Sequence, residues 1–150
     1  MQGYTSAQIR AATVLALQSD ATVTAIVDSD NIVPSRSIPL TSVYGPSIIV
    51  WAGRERLTPA ALQSDGMQVM SVETDVIVDF TAPETGGDIE ALLDSIDVIT
   101  AALLSSSTWM RMWDGGPPDV DIPDRWRNTD GDRFWGQAQA ICTVRHLRAY

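Results

Sequence analysis

Cys142 and His146 are the only thiol and the only imidazole of the chain, and side chains of these types can form a catalytic nucleophile and base. They lie four residues apart in "FWGQAQAICTVRHLRAY", whose pattern predicts the last strand. Four residues of strand place the two backbones about 13 Å apart on one face, which is too far for a hydrogen-bonded dyad. We therefore predict no catalytic pair and expect Cys142 to pack as a small apolar side chain.

The carboxylates between residues 119 and 132 suggest a different chemistry, because oxygen ligands at alternating positions can bind calcium. The stretch "NTDGDR" has such alternation, but it lacks the glycine at the sixth position and the final glutamate of an EF-hand loop. Asp-Gly pairs are ordinary turn formers, so a structural turn is favoured for this group: Asp119, Asp121, Asp124, Asp130 and Asp132. The sequence shows no zinc-ligand spacing, phosphate-binding glycine loop or nucleophile elbow, and we predict no metal, no cofactor and no enzymatic activity.

The charge of the chain argues against a role in binding nucleic acid. The formal net charge is −9, with fifteen aspartates and four glutamates against ten arginines and no lysine. A net-acidic surface repels phosphate, whereas arginine is a planar donor that suits protein interfaces. The apolar runs are too short to span a bilayer, so no membrane partner is expected, and a single cysteine suits a reducing compartment.

Four of the five tryptophans lie in "STWMRMWDGGPPDVDIPDRWRNTDGDRFWGQ", residues 107–137. Tryptophan and arginine are the residues most enriched at the hot spots of protein interfaces, and solvated loops seldom carry them together. This composition favours a docking surface, although the first two tryptophans could instead cap the core at the end of a helix. The interface candidates of this segment are Trp109, Trp113, Arg125, Trp126 and Arg127.

The N-terminal third predicts two helices and a loop. Thr5 and Gln8 have the spacing of a capping box at the start of "YTSAQIRAATVLALQS", and Asp20 is a favourable N-cap for a short second helix. The following "DSDNIVPSRSIPLTSVYGP" is punctuated by prolines and small polar residues, which indicates a loop with at most one short edge strand.

Two strands joined by a long hairpin arm are predicted next. "PSIIVWAG" is apolar and β-branched, which indicates a strand buried on both faces with Trp51 in the core. "RERLTPAALQSDG" forms the arm, and three charged residues in it are candidates for contact with a neighbouring molecule: Arg54, Glu55 and Arg56.

The alternation in "QVMSVETDVIVDF" predicts a strand with one buried face and one wet face. Its wet face carries an apolar exception, Ile77, and three carboxylates: Glu73, Asp75 and Asp79. A solvated sheet face explains these carboxylates as well as a functional one does.

The best helix is predicted in "TAPETGGDIEALLDSIDVITAALLSS", beginning near Thr85 and Asp88, with a buried stripe of Ile89, Leu92, Leu93, Ile96, Ile99 and Leu103. The order of the elements predicts one α+β domain over residues 1–150. We expect a mainly antiparallel sheet of about four strands, with one long and one N-terminal helix packed on one face. The segment at about 105–133, rich in Trp, Asp and Pro, is an insertion in this layout.

The stretches "DATVTAIVDSDNIVP", "PSIIVWAGRERL", "SVETDVIVDF" and "DIEALLDSIDVITAAL" follow in an order that resembles the tail-terminator, or tail-completion, proteins of long-tailed bacteriophages. The resemblance covers most of residues 5–104 and 134–148 and rests on the order and pattern of the elements. The segment 105–133 is longer and richer in tryptophan than the family implies, so the resemblance gives it no role.

The resemblance implies a structural virion protein of the tail–neck region, assembled in the host cytoplasm, that caps the tail tube as a hexameric ring. Such a ring ends tube growth and presents a surface to the head–tail connector protein. A head-to-tail contact between copies closes into a ring of this kind. If the wet sheet face lined the ring, Glu73, Asp75 and Asp79 would let genomic DNA pass without binding, because like charges repel.

Two alternatives stay open. One is a head-completion or connector protein higher in the neck, which belongs to the same broad class. The other is a small acidic ligand-binding or enzymatic domain that uses the tryptophan-rich segment as a pocket. A hexamer in native solution would favour the tail terminator, and a monomer that binds a metabolite would favour the ligand-binding domain.

Overall fold

A computed structural model describes residues 3–34, 45–62, 66–83, 89–123, 126–130 and 133–150. Its helices are α1 (Ser6–Gln18), α2 (Ala21–Thr24), α3 (Ile89–Ser105) and α4 (Ser107–Met110), and a 3-10 turn spans Ser29–Asn31. Its strands are β1 (Ile32–Pro34), β2 (Ser47–Leu62), β3 (Gln68–Pro83), β4 (Asp119–Asp121), β5 (Trp126–Asp130) and β6 (Arg133–Ala149). The α+β class predicted from the sequence is confirmed.

The sheet differs in detail from the predicted four antiparallel strands. Its order is β1-β2-β3-β6-β4, and β5 pairs with β6 as well. The pairing is antiparallel throughout except for β1, which runs parallel to β2 and makes the sheet mixed. The strands β4 and β5 lie inside the segment at about 105–133 that was predicted to be an insertion. At three and five residues they are too short to show a clear alternation of apolar and polar side chains.

The two N-terminal helices begin where the sequence predicts. Thr5 and Gln8 form the capping box of α1, and the Asp20 side chain accepts from the backbone N–H groups of Thr22 and Val23 at the start of α2. Each cap satisfies backbone donors that a helix start leaves without a partner. These contacts fix the start of both helices beside the sheet.

The core lies between the helices and one face of the three long strands, which we call the core face. On β3 and β6 it is formed by alternate residues, as predicted, and their buried side chains are Val72, Thr74, Val76, Val78, Phe80, Ala138, Ala140, Cys142 and Val144. The helix α3 lies against β6 and buries Ile96, Ile99 and Leu103. Thr85 and Asp88 lie outside the described residues, and so do the side chains of Ile89, Leu92 and Leu93.

The strand β2 is buried on one face only, which corrects the prediction of burial on both. Ile48 and Val50 are fully buried, whereas Trp51 is 42% exposed. The helices α1 and α3 pack against the core face, so alternate residues of β2 point away from them. We call this opposite side of the sheet the outer face.

Candidate functional site

Two of the predicted interface tryptophans lie in the core, so their assignment to an interface is wrong. Trp109 is 1% exposed and Trp113 is 6% exposed. Their ring centroids lie 5.2 Å apart in an edge-to-face arrangement, and the ring centroids of Tyr4 and His146 lie 6.3 Å and 6.1 Å from that of Trp113. The four-residue spacing places both tryptophans on the side of the chain that faces α1 and β6, where they close the core.

A hydrogen bond fixes the deeper of these tryptophans. Trp109 Nε1 donates to Thr13 Oγ1 at 2.9 Å, and Thr13 Oγ1 donates to the Ile9 carbonyl oxygen at 2.7 Å. Leaving a buried indole N–H unpaired costs about 1–3 kcal/mol, and this bond avoids that cost for Trp109. Thr13 is therefore the polar residue that allows α1 to pack on an indole.

Cys142 and His146 are both buried on the core face. Burial raises the pKa of the Cys142 thiol to about 11, which makes it a poor nucleophile at neutral pH. His146 is 1% exposed, and burial lowers its pKa from the usual 6.5, with the nearby Arg148 charge acting in the same direction. Its Nε2 lies 3.3 Å from Thr74 Oγ1. The imidazole is thus a neutral core group in a hydrogen-bonded chain.

This chain continues to Glu55, which is partly buried and whose predicted role at an interface stays a prediction. Arg148 Nη1 and Nη2 donate to the two carboxylate oxygens of Glu55 at 3.1 Å each, and Thr74 Oγ1 donates to Glu55 at 3.4 Å. The guanidinium also donates to the Tyr4 carbonyl oxygen, from Nη2 at 2.6 Å and Nε at 3.1 Å. Hydrogen bonds from Arg148 hold the pKa of Glu55 below its usual 4.5. Glu55 therefore joins β2 to β6 through Arg148, and Arg148 joins β6 to the N-terminal segment through the Tyr4 carbonyl oxygen.

The outer face carries the predicted carboxylates Glu73, Asp75 and Asp79, which share one side of β3. Each has a partner on β6. Arg145 Nε lies 3.5 Å from Glu73 Oε1, Thr143 Oγ1 donates to Asp75 at 2.9 Å, and Gln139 Nε2 donates to Asp79 at 2.9 Å. Partial burial raises the pKa of Asp79 although the Gln139 bond opposes the shift. These carboxylates are half-buried members of a cross-strand network.

The remaining predicted residues of the hairpin arm, Arg54 and Arg56, are exposed on β2. A register shift between Ala52 and Glu55 puts Glu55 opposite Thr74 and Arg56 opposite Glu73. This β-bulge turns the two arginines and the glutamate to different environments. Arg54 and Arg56 border an open groove of about 270 Å³ on the outer face, together with Glu73, Asp75, Asp119, Thr143 and Arg145.

Apolar side chains form a row across the outer face that was not predicted from the sequence. Trp51 pairs in register with Ile77, Ile77 with Ile141, and Ile141 with Asp121. Trp51 is 42% exposed, and the two isoleucines are half-buried. Ile77 was the one signal available, because a large apolar residue on the wet side of an alternating strand indicates that this side is not simply solvated.

A tight turn places β4 at the far edge of this face. The backbone N–H of Asp114 donates to the Arg145 carbonyl oxygen, and its side chain accepts from the Leu147 N–H at 3.0 Å. A side chain at Gly115 would come within 2.7 Å of Arg145 Cβ, and Gly116 has a φ of +84° that favours glycine. Glycine at both positions lets the turn lie flat on β6 and set the register of β4.

Other chemistry can be placed only within the described part of the chain. There, no three His, Cys, Asp or Glu side chains cluster in a way that would hold a metal ion, and no helix is long and apolar enough to cross a membrane. Of the carboxylates that were predicted to form turns, Asp124 and Asp132 lie outside the described residues, as does the Asp130 side chain. The same holds for Arg125 and for the side chains of Trp126 and Arg127, whose backbones belong to β5.

A second surface feature is an open groove of about 410 Å³ between α1 and α4. The residues that line it are mostly alanine and serine, together with Leu15, which is 63% exposed. The buried Trp109 and the partly buried Met112 also line it. The groove has an apolar floor suited to a side chain or a small molecule.

In comparisons with known proteins, no protein-family model matches the chain, and no curated protein matches it.

Proposed function

We propose that this chain is a structural virion protein that caps a bacteriophage tail tube as a hexameric ring, ends tube polymerisation and joins the tail to the head-side connector. The observation that carries the proposal is the outer face, where Trp51 stays 42% exposed in a row with Ile77 and Ile141. An exposed apolar row framed by charged groups is typical of a protein-binding surface. Binding of a second chain at the β2 edge would remove Trp51 from water.

The placement of the reactive groups supports an assembly role over a chemical one. Cys142 and His146 are buried and serve the core, and the carboxylates of the outer face are engaged across strands. The polar groups of the outer face are thus paired in ladders across the strands, and the groove that they line is open to solvent. Ladders of this kind give orientation and register to a contact between proteins.

The carboxylates of the outer face suit the passage of DNA. Arg145 balances Glu73, which leaves Asp75 and Asp79 as the stronger candidates for repelling a phosphate backbone. We propose that this face looks into the ring and that the helices lie outside it. The net charge of −9 per copy would add to the repulsion.

The experiment that tests this function is native mass spectrometry of the purified chain, alone and mixed with the tail-tube protein of the same phage. A hexamer in either sample supports the proposal, and a monomer in both contradicts it. Mixing with the head–tail connector protein separates the alternative of a neck protein, which would bind the connector and leave the tube protein free.

Binding of a small ligand is the second candidate, because the groove between α1 and α4 has room for one. A ligand there would contact Leu15 and Met112. Filling the groove by Ala16→Trp would abolish such binding and leave assembly through the outer face unchanged. A monomer that binds a metabolite, and loses it in the Ala16→Trp variant, would favour this candidate over the ring.

A further inference from the structure

The charged side chains of the outer face alternate in sign across the sheet. Arg56 of β2 pairs in register with Glu73 of β3, and Glu73 pairs with Arg145 of β6. Arg145 Nη2 donates to Asp119 Oδ2 of β4 at 2.7 Å. From β2 to β4 the charges are therefore positive, negative, positive and negative.

The two ends of this pattern lie at opposite sides of the sheet and carry opposite charges. Exposed Arg54 and Arg56 lie on β2, and exposed Asp119 and Asp121 lie on β4. The side chain of Asp119 is 72% exposed, so the pair with Arg145 leaves it room to accept a second donor. A copy placed beside this one continues the alternation without a break.

Both edges are open for a neighbour in the described part of the chain. There, the edge of β2 that points away from β3 pairs only with β1, at Ile48–Val50, and β4 pairs only with β6. The backbone of β2 from Trp51 to Thr58 can therefore accept another strand. Open edges of this type are common routes of association between chains.

The strand directions suit a ring. In one chain β2 and β6 run one way and β3 and β4 run the other. Rotation of a copy about an axis along the strands keeps these directions, so β4 of one copy meets β2 of the next in antiparallel orientation. The contact joins two different edges, and such heterologous contacts close into rings.

An exposed aromatic side chain accompanies the charges at the β2 edge, where Trp51 is 42% exposed. Trp51 belongs to the row that ends at Asp121, so it lies at the same level of the sheet as β4. The contact therefore combines a large aromatic anchor with arginine–carboxylate pairs, as hot spots do.

We propose that neighbouring copies join through the β2 edge of one copy, Trp51–Thr58, and the β4 edge of the next, Asp119–Asp121. Arg54 and Arg56 pair with Asp119 and Asp121 across this contact. The inference rests on the proposed ring and deepens it by naming the two surfaces. Arginine gives the contact register, because its planar donors bind carboxylates in a fixed geometry.

Two charge-reversed variants test the contact. The first is Arg54→Glu with Arg56→Glu, which makes both edges acidic. The second is Asp119→Arg with Asp121→Arg, which makes both edges basic. Each variant alone should remain folded and monomeric in native mass spectrometry, because like charges meet at every contact.

A mixture of the two variants gives the sharpest result. The basic β2 edge of the second variant fits the acidic β4 edge of the first. The acidic β2 edge of the first variant fits the basic β4 edge of the second. The mixture should therefore form a ring with equal numbers of both variants in alternation. Its stability should fall as salt is added, because exposed charge pairs are screened.

Matched controls reverse charges on a helix and at the turn after α4, where Asp97 and Arg111 are exposed. Asp97→Arg and Arg111→Glu should assemble as the unaltered chain does. If Asp119→Arg lowers the melting temperature through loss of its pair with Arg145, Asp121→Arg alone replaces the second variant in the mixture.

The outcomes separate this inference from the proposed function. If the unaltered chain forms a ring and both charge-reversed variants form it too, the edge contact is wrong and the ring stands. If the variants are monomeric and their mixture stays monomeric, the edge contact is also wrong, because complementarity has been restored. If the unaltered chain forms no ring alone or with tube protein, the proposed function itself fails.

Discussion

The core face and the outer face alternate along the same three long strands, yet they differ in what covers them. The core face meets α1, α3 and the paired indoles of Trp109 and Trp113. The outer face has no helix against it in the described part of the chain, and Trp51 stays 42% exposed there. Tryptophan lies on both faces, so its environment, and not its type, separates a core role from a binding role.

The polar groups of the two faces differ in the same way. On the core face, Arg148 and Thr74 both donate to Glu55, Thr74 Oγ1 lies 3.3 Å from His146 Nε2, and Arg148 also donates to the Tyr4 carbonyl oxygen. On the outer face, charges run in rows and end at exposed Arg54 and Asp121. Hydrogen bonds among core groups stabilise one chain, whereas an exposed row of charges has ends that a second chain can satisfy.

The largest expected effect is on the core face. Ile96→Asp buries a carboxylate without a partner beneath the sheet, and we expect a loss of about 4 kcal/mol or more in the free energy of unfolding. Chemical denaturation followed by circular dichroism measures this loss. The same change at half-buried Ile141 of the outer face should leave the chain folded. Equal damage at both positions would remove the distinction between the faces.

The second effect concerns the buried indole. Trp109→Ala should cost about 3–5 kcal/mol in stability, because it leaves a cavity. Trp109→Phe keeps most of the volume and removes the bond to Thr13, so it should cost less. Thermal unfolding of both variants measures the two contributions. A folded and fully stable Trp109→Ala variant would place this residue outside the core after all.

The ion pair of Glu55 on β2 with Arg148 on β6 gives a third effect, which depends on pH. Glu55→Gln should cost about 1–3 kcal/mol at pH 7, because it removes a charge-assisted pair with Arg148. The pKa of Glu55 is lower in the folded chain than its usual 4.5, so its contribution is present above 4.5 and is lost as pH falls below it. The stability of the Glu55→Gln variant should therefore change less with pH in this range. If the free energy of unfolding of the two proteins changed with pH in parallel, the Glu55–Arg148 ion pair would contribute nothing to stability.

The histidine of the same network adds a change at higher pH. The pKa of His146 is lower in the folded chain than its usual 6.5, so the unfolded chain takes up a proton first. Stability from this group is present above pH 6.5 and falls as pH drops below 6.5 toward the folded pKa. Urea denaturation of the chain and of His146→Gln across this range measures it, and an equally steep decline in both would contradict the assignment.

The smallest effect on stability is expected at the outer face. Trp51→Ala should change the free energy of unfolding by less than about 1 kcal/mol, because the side chain is half exposed. The same change should weaken assembly by about 2 kcal/mol or more per contact, as for other aromatic hot spots. Comparing the melting temperature with the dissociation of the ring separates the two quantities. Lost stability with unchanged assembly would assign Trp51 to the core.

Much of the fold could be predicted because long periodic segments carry its pattern. The capping box at Thr5, the N-cap at Asp20 and the alternation along β3 each depend on residues close in sequence, and all three are confirmed. The parallel pairing of β1 with β2 depends on residues that are distant in sequence, and three residues give no periodic signal.

The candidate site was harder to predict than the fold. Trp51 lies in a continuous apolar run, and such a run cannot reveal which of its faces a helix will cover. Alternation from Ala52 would put Arg54 on the core face, but the bulge after Ala52 puts Glu55 there instead, where it meets Arg148. The predicted roles of Arg125, Trp126 and Arg127 stay predictions, since their side chains lie outside the described residues.

Native mass spectrometry of the unaltered chain and of Trp51→Ala, each titrated with tail-tube protein, tests the central claim most directly. The account predicts closed oligomers of the unaltered chain and folded monomers of the variant under the same conditions. Identical oligomers from both proteins, or monomers throughout, would contradict the claim that copies of this chain meet through the β2 edge that carries Trp51.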